Sequence, residues 1–291
     1  MNAQLKKWLG LILKLVVAFG ALYLVFQKIS WSEIREVLIG ANYWLLALGF
    51  LFFLFSKLVS ALRLNLFFRY HGLLLSEWIN IQLYWLGMFY NLFLPGGISG
   101  DGYKVYWLKQ QFNAPVKKLL SAVFVDRLSG MALLVFLAAL LLAFVDSPWS
   151  WLPWLALGAP LALVGLWLFL HLFFPMYKKL FRPIAGFSFV VQKAQLICVV
   201  FILLAFNIED GFIAYLILFL VSSVAAVIPI SIGGIGIREL CFLYGAQLFD
   251  ISEPAAVSVS FTFYVMTMLG SFPGIIWVFK GIEKESTDVQ L

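Results

Sequence analysis

The chain has 291 residues, of which 64% are hydrophobic and 12% charged, and its mean hydropathy is +1.01. A soluble protein with a single core cannot bury that much apolar surface, so the composition predicts a membrane protein. The net charge is +6, but the basic residues gather in short stretches between apolar runs, which argues against nucleic acid as a partner and favours anionic lipid.

Apolar runs recur along the whole chain, and most approach the roughly 20 residues that a helix needs to cross a bilayer. Eight membrane-spanning helices are predicted, at residues 8–26, 43–62, 78–94, 119–144, 149–174, 187–206, 211–228 and 255–279. The first run faintly resembles a signal peptide with cleavage near Ala18 and Gly20, but we expect an uncleaved helix. The predicted fold class is an all-α polytopic membrane protein, with one domain over residues 1–291 and a short polar tail at 283–291.

Two shorter segments, at 102–112 and 237–248, each follow a break rich in proline and glycine. Proline cannot donate a backbone hydrogen bond and glycine permits unusual backbone angles, so both segments are predicted to be half-helices or re-entrant helices. The break motifs span residues 91–106 and 229–239.

Basic residues are expected to mark the cytoplasmic side of the membrane. The clusters assigned to that side are Lys6 and Lys7, Arg63 and Arg69, Lys109, Lys117 and Lys118, Lys178, Lys179 and Arg182, and Lys280 and Lys284. The loops at 146–150 and 207–210 lack basic residues and are expected outside, although Lys28 and Arg35 in the first loop do not follow the pattern. Both termini are therefore predicted to be cytoplasmic.

This assignment requires each short segment to count as a crossing, so five crossings separate the two breaks. An odd number gives the two helix-break-helix units opposite orientations, as in the inverted repeats of transporters. The expected consequence is that the two half-helices approach each other inside the membrane.

The breaks carry charged residues, which are rare in membrane segments and need partners. Free backbone N–H groups at the start of each half-helix would suit a phosphate. Asp101 and Lys104 are three residues apart and could share a helix face, but we favour a crosswise arrangement in which Asp101 pairs with Arg238 and Lys104 with Glu239. An alternative is that the charges extend to the head groups. Neighbouring residues on a helix point about 100° apart, so Asp126 is expected to pair with a residue on another segment and not with Arg127.

Other side chains give weaker signals. Cys198 and Cys241 lie in apolar runs without metal or disulfide spacing, and His71 and His171 have no second ligand at a suitable distance in sequence. We therefore expect no metal, no cofactor and no catalytic residue. Lys57 and Arg63 on the second predicted helix could reach a lipid phosphate, but we favour the ordinary extension of both side chains toward the head groups.

With these motifs in view, the chain resembles the lysylphosphatidylglycerol synthase transmembrane family, the flippase-like region also found at the front of the bacterial multiple peptide resistance factor. The resemblance spans nearly the whole chain and rests on Arg63, the stretch NLFLPGGISGDGYK at 91–104, the Asp126–Arg127 pair and GGIGIRE at 233–239. Ser99 replaces an expected glycine and Lys104 stands where relatives often carry arginine.

The resemblance implies a bacterial or archaeal inner-membrane protein that moves a phospholipid or a polyprenyl-phosphate-type lipid between leaflets. The residues expected to form its substrate-binding site are Arg63, Asn91, Pro95, Gly96, Gly97, Gly100, Asp101, Lys104, Asp126, Arg127, Gly233, Gly234, Gly236, Arg238 and Glu239. The aminoacyl-transferase domain of longer relatives is absent, so we do not expect an enzyme. The alternative functions are a non-transporting partner of a lipid synthase or glycosyltransferase and, less favoured, a membrane-embedded lipid-modifying enzyme.

Overall fold

The computed structural model describes residues 19–20, 22–27, 30–93, 99–146, 149–227 and 234–282. All regular secondary structure in these ranges is helical. The α-helices are α1 (Trp31–Ile39), α2 (Tyr43–Tyr70), α3 (Glu77–Phe93), α4 (Ser99–Phe112), α5 (Val116–Leu141), α6 (Ala159–Phe173), α7 (Phe181–Ala205), α8 (Phe212–Val227), α9 (Ile237–Phe249), α10 (Glu253–Ser271) and α11 (Ile275–Lys280). Short 3₁₀ turns extend α5, α6, α7 and α10.

Five helical stretches are long and apolar enough to cross a membrane. They are Tyr43–Tyr70, Val116–Phe144, Leu152–Phe173, Pro175–Ala205 and Glu253–Lys280. The all-α polytopic fold expected from composition is therefore confirmed. The helix predicted at 8–26 lies largely outside the described residues, and α3 and α8 both end beside such residues, so the count of eight crossings stays a prediction.

Helix α2 runs through the centre of the bundle beside α7. Its N-cap is Asn42, whose Oδ1 accepts hydrogen bonds from the backbone N–H groups of Trp44 and Leu45 at 3.1 and 3.4 Å. The 28 residues that follow span about 42 Å and include no proline or acidic residue. Gly49 allows α7 to approach closely, since a Cβ there would lie 3.2 Å from the carbonyl oxygen of Cys198.

The bundle has a basic end, which is formed by the C-terminal end of α2 and the N-terminal ends of α5 and α7. The Tyr177 hydroxyl lies 2.5 Å from Nε2 of His71 and 2.8 Å from the hydroxyl of Ser121. These contacts bring the neighbourhoods of Arg69 and Lys118, which the charge pattern assigns to one side, to the same end of the bundle.

The opposite, acidic end is defined by Asp146, Asp210 and Asp250, which line one cavity. The backbone N–H of Asn42 donates to the carbonyl of Ala205 at 2.8 Å. This bond joins the start of α2 to the end of α7 near this end, so the two central helices are antiparallel.

Helices α3 and α4 form a hairpin that opens toward the basic end. Gly100, in the first turn of α4, lies against the backbone of Gly87 in the middle of α3. Farther along α4, Leu108 belongs to the same buried cluster as Leu75 and Ile79 at the start of α3. The half-helix therefore folds back along the helix that precedes it.

Helices α8 and α9 form a second hairpin that opens toward the acidic end. Gly245 of α9 packs against Leu218 of α8, and the side chain of Ile251, just beyond α9, lies beside Gly211 at the start of α8. The two hairpins therefore enter the bundle from opposite ends. This is the relative orientation that an odd number of crossings between the breaks predicts.

Candidate functional site

A cavity of about 260 Å³ lies where the tips of the two hairpins meet. Asn91, Asp101 and Lys104 line it from the α3–α4 hairpin, and Ser223 and Arg238 line it from the α8–α9 hairpin. The remaining walls come from α2, α5, α7 and α10 and include Lys57, Ser60, Arg63, Asp126, Arg127, Gly130, Gln192, Gln195, Phe263 and Thr267. More than half of the residues that line the cavity are polar or charged, although the helices that form it are mostly apolar.

Asp101 is the shared partner of two cations on the basic-end side of the cavity. Its Oδ1 lies 3.1 Å from Nζ of Lys104, one helical turn away, and its Oδ2 lies 2.5 Å from Nε of Arg127 on α5. The Asp101 and Lys104 side chains are 13% and 5% exposed, so this ion pair is inside the protein. The Lys104 ammonium also lies 4.6 Å from the ring centre of Tyr84.

Arg63 and Asp126 form the second ion pair. The Arg63 Nε and Nη2 atoms donate to the two carboxylate oxygens of Asp126 at 2.8 and 3.2 Å, and Nη1 donates to the Ser188 hydroxyl at 2.8 Å. Gly130 leaves room for this guanidinium, because a Cβ there would lie 3.3 Å from Nη1. As the sequence predicts, Asp126 and Arg127 have partners on other helices.

The expected crosswise pairing of the two breaks is wrong. Asp101 pairs with Lys104 and Arg127 instead of Arg238, because those cations lie on its own helix face and on the adjacent α5. Glu239 does not pair with Lys104. Its carboxylate accepts hydrogen bonds from the Gly236 N–H at 2.7 Å and the Ser260 hydroxyl at 3.0 Å, and the residue is 2% exposed.

The starts of both half-helices are capped by side chains of the chain itself. The Gly100 N–H donates to Oδ1 of Asn91 at 2.9 Å, as the Gly236 N–H does to Glu239. These two N–H groups are therefore not available to an anion, contrary to the expectation from the sequence. Gly234 and Gly236 have φ angles of +86° and +83°, which explains why glycine is needed there. The predicted site residues Pro95, Gly96, Gly97 and Gly233 lie outside the described residues.

Two cations of the cavity have no carboxylate partner among the described residues. Lys57 places its Nζ 4.7 Å from the ring centre of Phe53, and the Arg238 guanidinium lies 5.3 Å from that of Phe263. Arg238 also donates to the Ser223 hydroxyl at 3.4 Å. Lys57 is a weak candidate in the sequence and is not among the predicted site residues. Its spacing from Ser60 and Arg63, three and six residues along α2, is the signal that places all three on one helix face.

Charge is unevenly distributed around the cavity. In the part of the chain that the structure describes, five cations and two carboxylates line it, which leaves three positive charges in excess. A charged side chain in hydrocarbon is costly, and intramembrane charges accordingly mark pathways and binding sites. The arrangement can accept an anionic group that enters from the bilayer or from water.

The fold and this cavity define a polytopic membrane protein with an internal, positively charged polar site. The chain belongs to the family of the lysylphosphatidylglycerol synthase TM region, whose sequence profile matches residues 11–274. That match includes both hairpins and every residue of the cavity wall, and it confirms the resemblance seen in the sequence. No curated protein matches the chain.

Proposed function

We propose that this protein translocates a lipid between the leaflets of a bacterial or archaeal inner membrane, with its basic end in the cytoplasm. The head group would pass through the charged cavity while the acyl chains stay in the bilayer. The observation that carries the proposal is the meeting of two oppositely oriented hairpins at one buried charged cavity. Substrate sites of transporters occur at such junctions of broken helices.

The physical need for the cavity follows from the cost of moving a charged head group through hydrocarbon. Charged side chains at the bilayer centre cost about 2.5–3.5 kcal/mol each on insertion scales, and a charged lipid head group faces a barrier of the same physical origin. Fixed cations and hydroxyl groups inside the bundle would replace the water that the head group loses. Lys104, Arg127 and Ser223 are positioned to do so.

The family name refers to a lipid, which supports lipid as the cargo. The sequence contains no GxxxxGK[ST] motif, so nucleotide hydrolysis by this chain is not part of the proposal. Transport would be downhill, coupled to an ion, or driven by a partner such as a separately encoded lipid synthase or glycosyltransferase.

The test is a leaflet-exchange assay in proteoliposomes. Fluorescent anionic lipid in both leaflets is exposed to a membrane-impermeant quencher, and quenching beyond the outer-leaflet half reports translocation. The informative variant is Lys104→Met, which removes one buried cation but leaves Asp101 paired with Arg127. Since a hydrogen bond to a charged group contributes about 1.5–3 kcal/mol, we expect translocation to slow about tenfold or more.

The matched control is Lys193→Met. Lys193 follows the cavity residue Gln192 on α7, but it is exposed on the outside of the bundle. The Lys193→Met variant should translocate lipid at the wild-type rate. Wild-type protein that moves no lipid would favour the non-transporting partner, and wild-type rates in Lys104→Met would refute the proposed path.

A further inference from the structure

The cavity contains two kinds of cation. Arg63, Lys104 and Arg127 each contact a carboxylate, so their charges are already partly balanced in the protein. Lys57 and Arg238 contact aromatic rings and a hydroxyl group instead. They come from α2 and α9, both line the cavity, and the two rings that they contact, Phe53 and Phe263, have centres 5.6 Å apart.

Two like charges facing one buried cavity repel each other unless an anion lies between them. Helices α2 and α9 nevertheless hold both there, and Phe53 and Phe263 pack against their cationic groups. Cation–π contact stabilises the position of a cation but does not neutralise it. Among the described residues no carboxylate lies within ion-pair distance of either cation, and the neighbouring Glu239 carboxylate bonds to Gly236 and Ser260. The pair is therefore arranged to accept a further anion.

We propose that Lys57 and Arg238 together bind the terminal phosphate of a lipid, a phosphomonoester or diphosphate head group, in preference to a phosphodiester head group. This inference rests on the proposed function and specifies its substrate class. The lipid phosphate would sit between the two cations, with the Ser223 hydroxyl as a further donor.

Charge favours this class of head group. A phosphomonoester carries about −1.5 to −2 charges at pH 7, because its second pKa is near 6, and it presents three acceptor oxygens. A phosphodiester carries a single negative charge and two free oxygens. The excess of three positive charges around the cavity is better matched by the more highly charged group, and an aminoacylated head group would bring an additional cation into it.

The size of the cavity is compatible with this class. Its volume of about 260 Å³ is near the lower end of the roughly 300–1,000 Å³ typical of pockets for drug-sized ligands. A bare phosphate or diphosphate is compact, whereas a head group that carries a sugar or an amino acid is much larger. The acyl or polyprenyl chains do not need to enter the cavity.

The experiment is a competition measured by native mass spectrometry on the full-length protein in detergent. The protein is incubated with equal amounts of phosphatidic acid and phosphatidylglycerol that carry the same acyl chains, and the two bound species are resolved by mass. We expect wild-type protein to retain phosphatidic acid over phosphatidylglycerol by about fivefold or more. Equal retention would overturn the proposal.

Two variants test the assignment to residues. Lys57→Met and Arg238→Gln should each bring the ratio of the two bound lipids close to one, whereas Lys193→Met and Arg182→Gln, which alter exposed residues on α7, should keep the wild-type ratio. If either cavity variant retained the wild-type preference, or if both controls lost it, the assignment to this pair would be wrong.

The wild-type protein gives an independent readout that does not depend on variants. Lowering the pH from 7.5 to 5.5 adds a proton to the phosphomonoester but not to the phosphodiester, so the preference should shrink. A preference that did not change with pH would contradict recognition by charge. Displacement of phosphatidic acid by an equal concentration of inorganic phosphate would show a free-phosphate site and overturn the assignment to lipid.

This test and the leaflet-exchange assay can fail separately. Translocation without preference for phosphatidic acid would leave the proposed function standing and remove the inference on substrate class. Selective binding without translocation would leave the terminal-phosphate site standing and remove the transport function.

Discussion

Arg63 and Asp126 form a bidentate ion pair inside the bundle, although 63 residues separate them in the sequence. Their side chains are 7% and 11% exposed. The third donor of Arg63 contacts Ser188, so one guanidinium links α2, α5 and α7 beside the cavity. Loss of either partner should destabilise the protein, because the remaining charge would stay buried without its counter-charge.

Asp126→Asn should therefore destabilise the protein markedly. Removing one partner of a buried ion pair costs about 3–5 kcal/mol, because the remaining charge stays buried. We expect a much shorter half-life of monodisperse protein in detergent at a fixed elevated temperature. The matched control is Asp146→Asn, at an exposed position of the acidic end, which should keep the wild-type half-life.

The same pair permits a second comparison. An Arg63→Met, Asp126→Leu double variant removes both charges, so it should recover most of the stability that Asp126→Asn loses. The double variant should nevertheless translocate lipid more slowly than the wild type, since the cavity has lost a cation and a carboxylate. A double variant less stable than Asp126→Asn would show that the packing of the two side chains contributes more to stability than their opposite charges.

Glu239 should stabilise the protein by capping the N-terminal end of α9. Glu239→Ala leaves the Gly236 N–H and the Ser260 hydroxyl without their acceptor, and an unsatisfied buried polar group costs about 1–3 kcal/mol. Thermal stability in detergent should fall accordingly. Ser260→Ala keeps the bond to Gly236, so it should lose less. Equal losses in the two variants would argue against the cap as the main role of Glu239.

The sequence predicts the fold class and the hairpins because both depend on properties that act locally. Hydrophobic length determines which segments can span, and proline and glycine interrupt them wherever the bundle is. The charge pattern also brings Arg69 and Lys118 to one side, in agreement with the contacts around Tyr177. None of these inferences requires knowledge of which helix packs beside which.

The ion pairs could be predicted only in part. Helix geometry shows that Asp126 must reach to another segment, but the choice of Arg63 depends on the packing of α2 against α5. The favoured partner of Asp101 was wrong for the same reason, since the choice among Lys104, Arg127 and Arg238 depends on how α4 packs against α5. Lys57 gives only a weak signal in the sequence, because a lone lysine in an apolar run has the same local pattern whether it faces lipid or a cavity.

A pH dependence is expected at the basic end, where His71 contacts Tyr177. Burial lowers the pKa of His71 below its ordinary value of about 6.5, and the positive charge of Lys118 lowers it further. Just below pH 6.5 the unfolded chain therefore binds a proton that the folded protein does not. The contribution of His71 to stability should therefore be constant above that pH and should fall as the pH drops through and below about 6.5.

The measurement is the half-life of monodisperse protein in detergent between pH 7.5 and 5.5. Lys118→Met removes the nearby cation, so its half-life should fall less steeply with acidification than that of the wild type. His71→Gln, which cannot take up a proton, should flatten the profile further. Three identical profiles would assign the acid sensitivity to other groups.

The contact between Gly87 and Gly100 should tolerate no added side chain. A Cβ at Gly100 would overlap the backbone carbonyl group of Gly87, which cannot move without separating α3 from α4. Overpacking of this kind costs about 1–3 kcal/mol, and occasionally more. Gly100→Ala should therefore lower thermal stability and slow lipid translocation, because Asp101 and Lys104 shift with the start of α4.

Gly102→Ala is the matched control on the same helix. No heavy atom of the described chain lies within 4 Å of a Cβ at this exposed position, and alanine favours a helix over glycine by about 1 kcal/mol. This variant should be as stable as the wild type or slightly more so, with unchanged translocation. Thermal unfolding in detergent and leaflet exchange in liposomes measure both effects. If Gly100→Ala matched Gly102→Ala in both thermal stability and translocation, the close approach of the α3 and α4 backbones would not be required for the site.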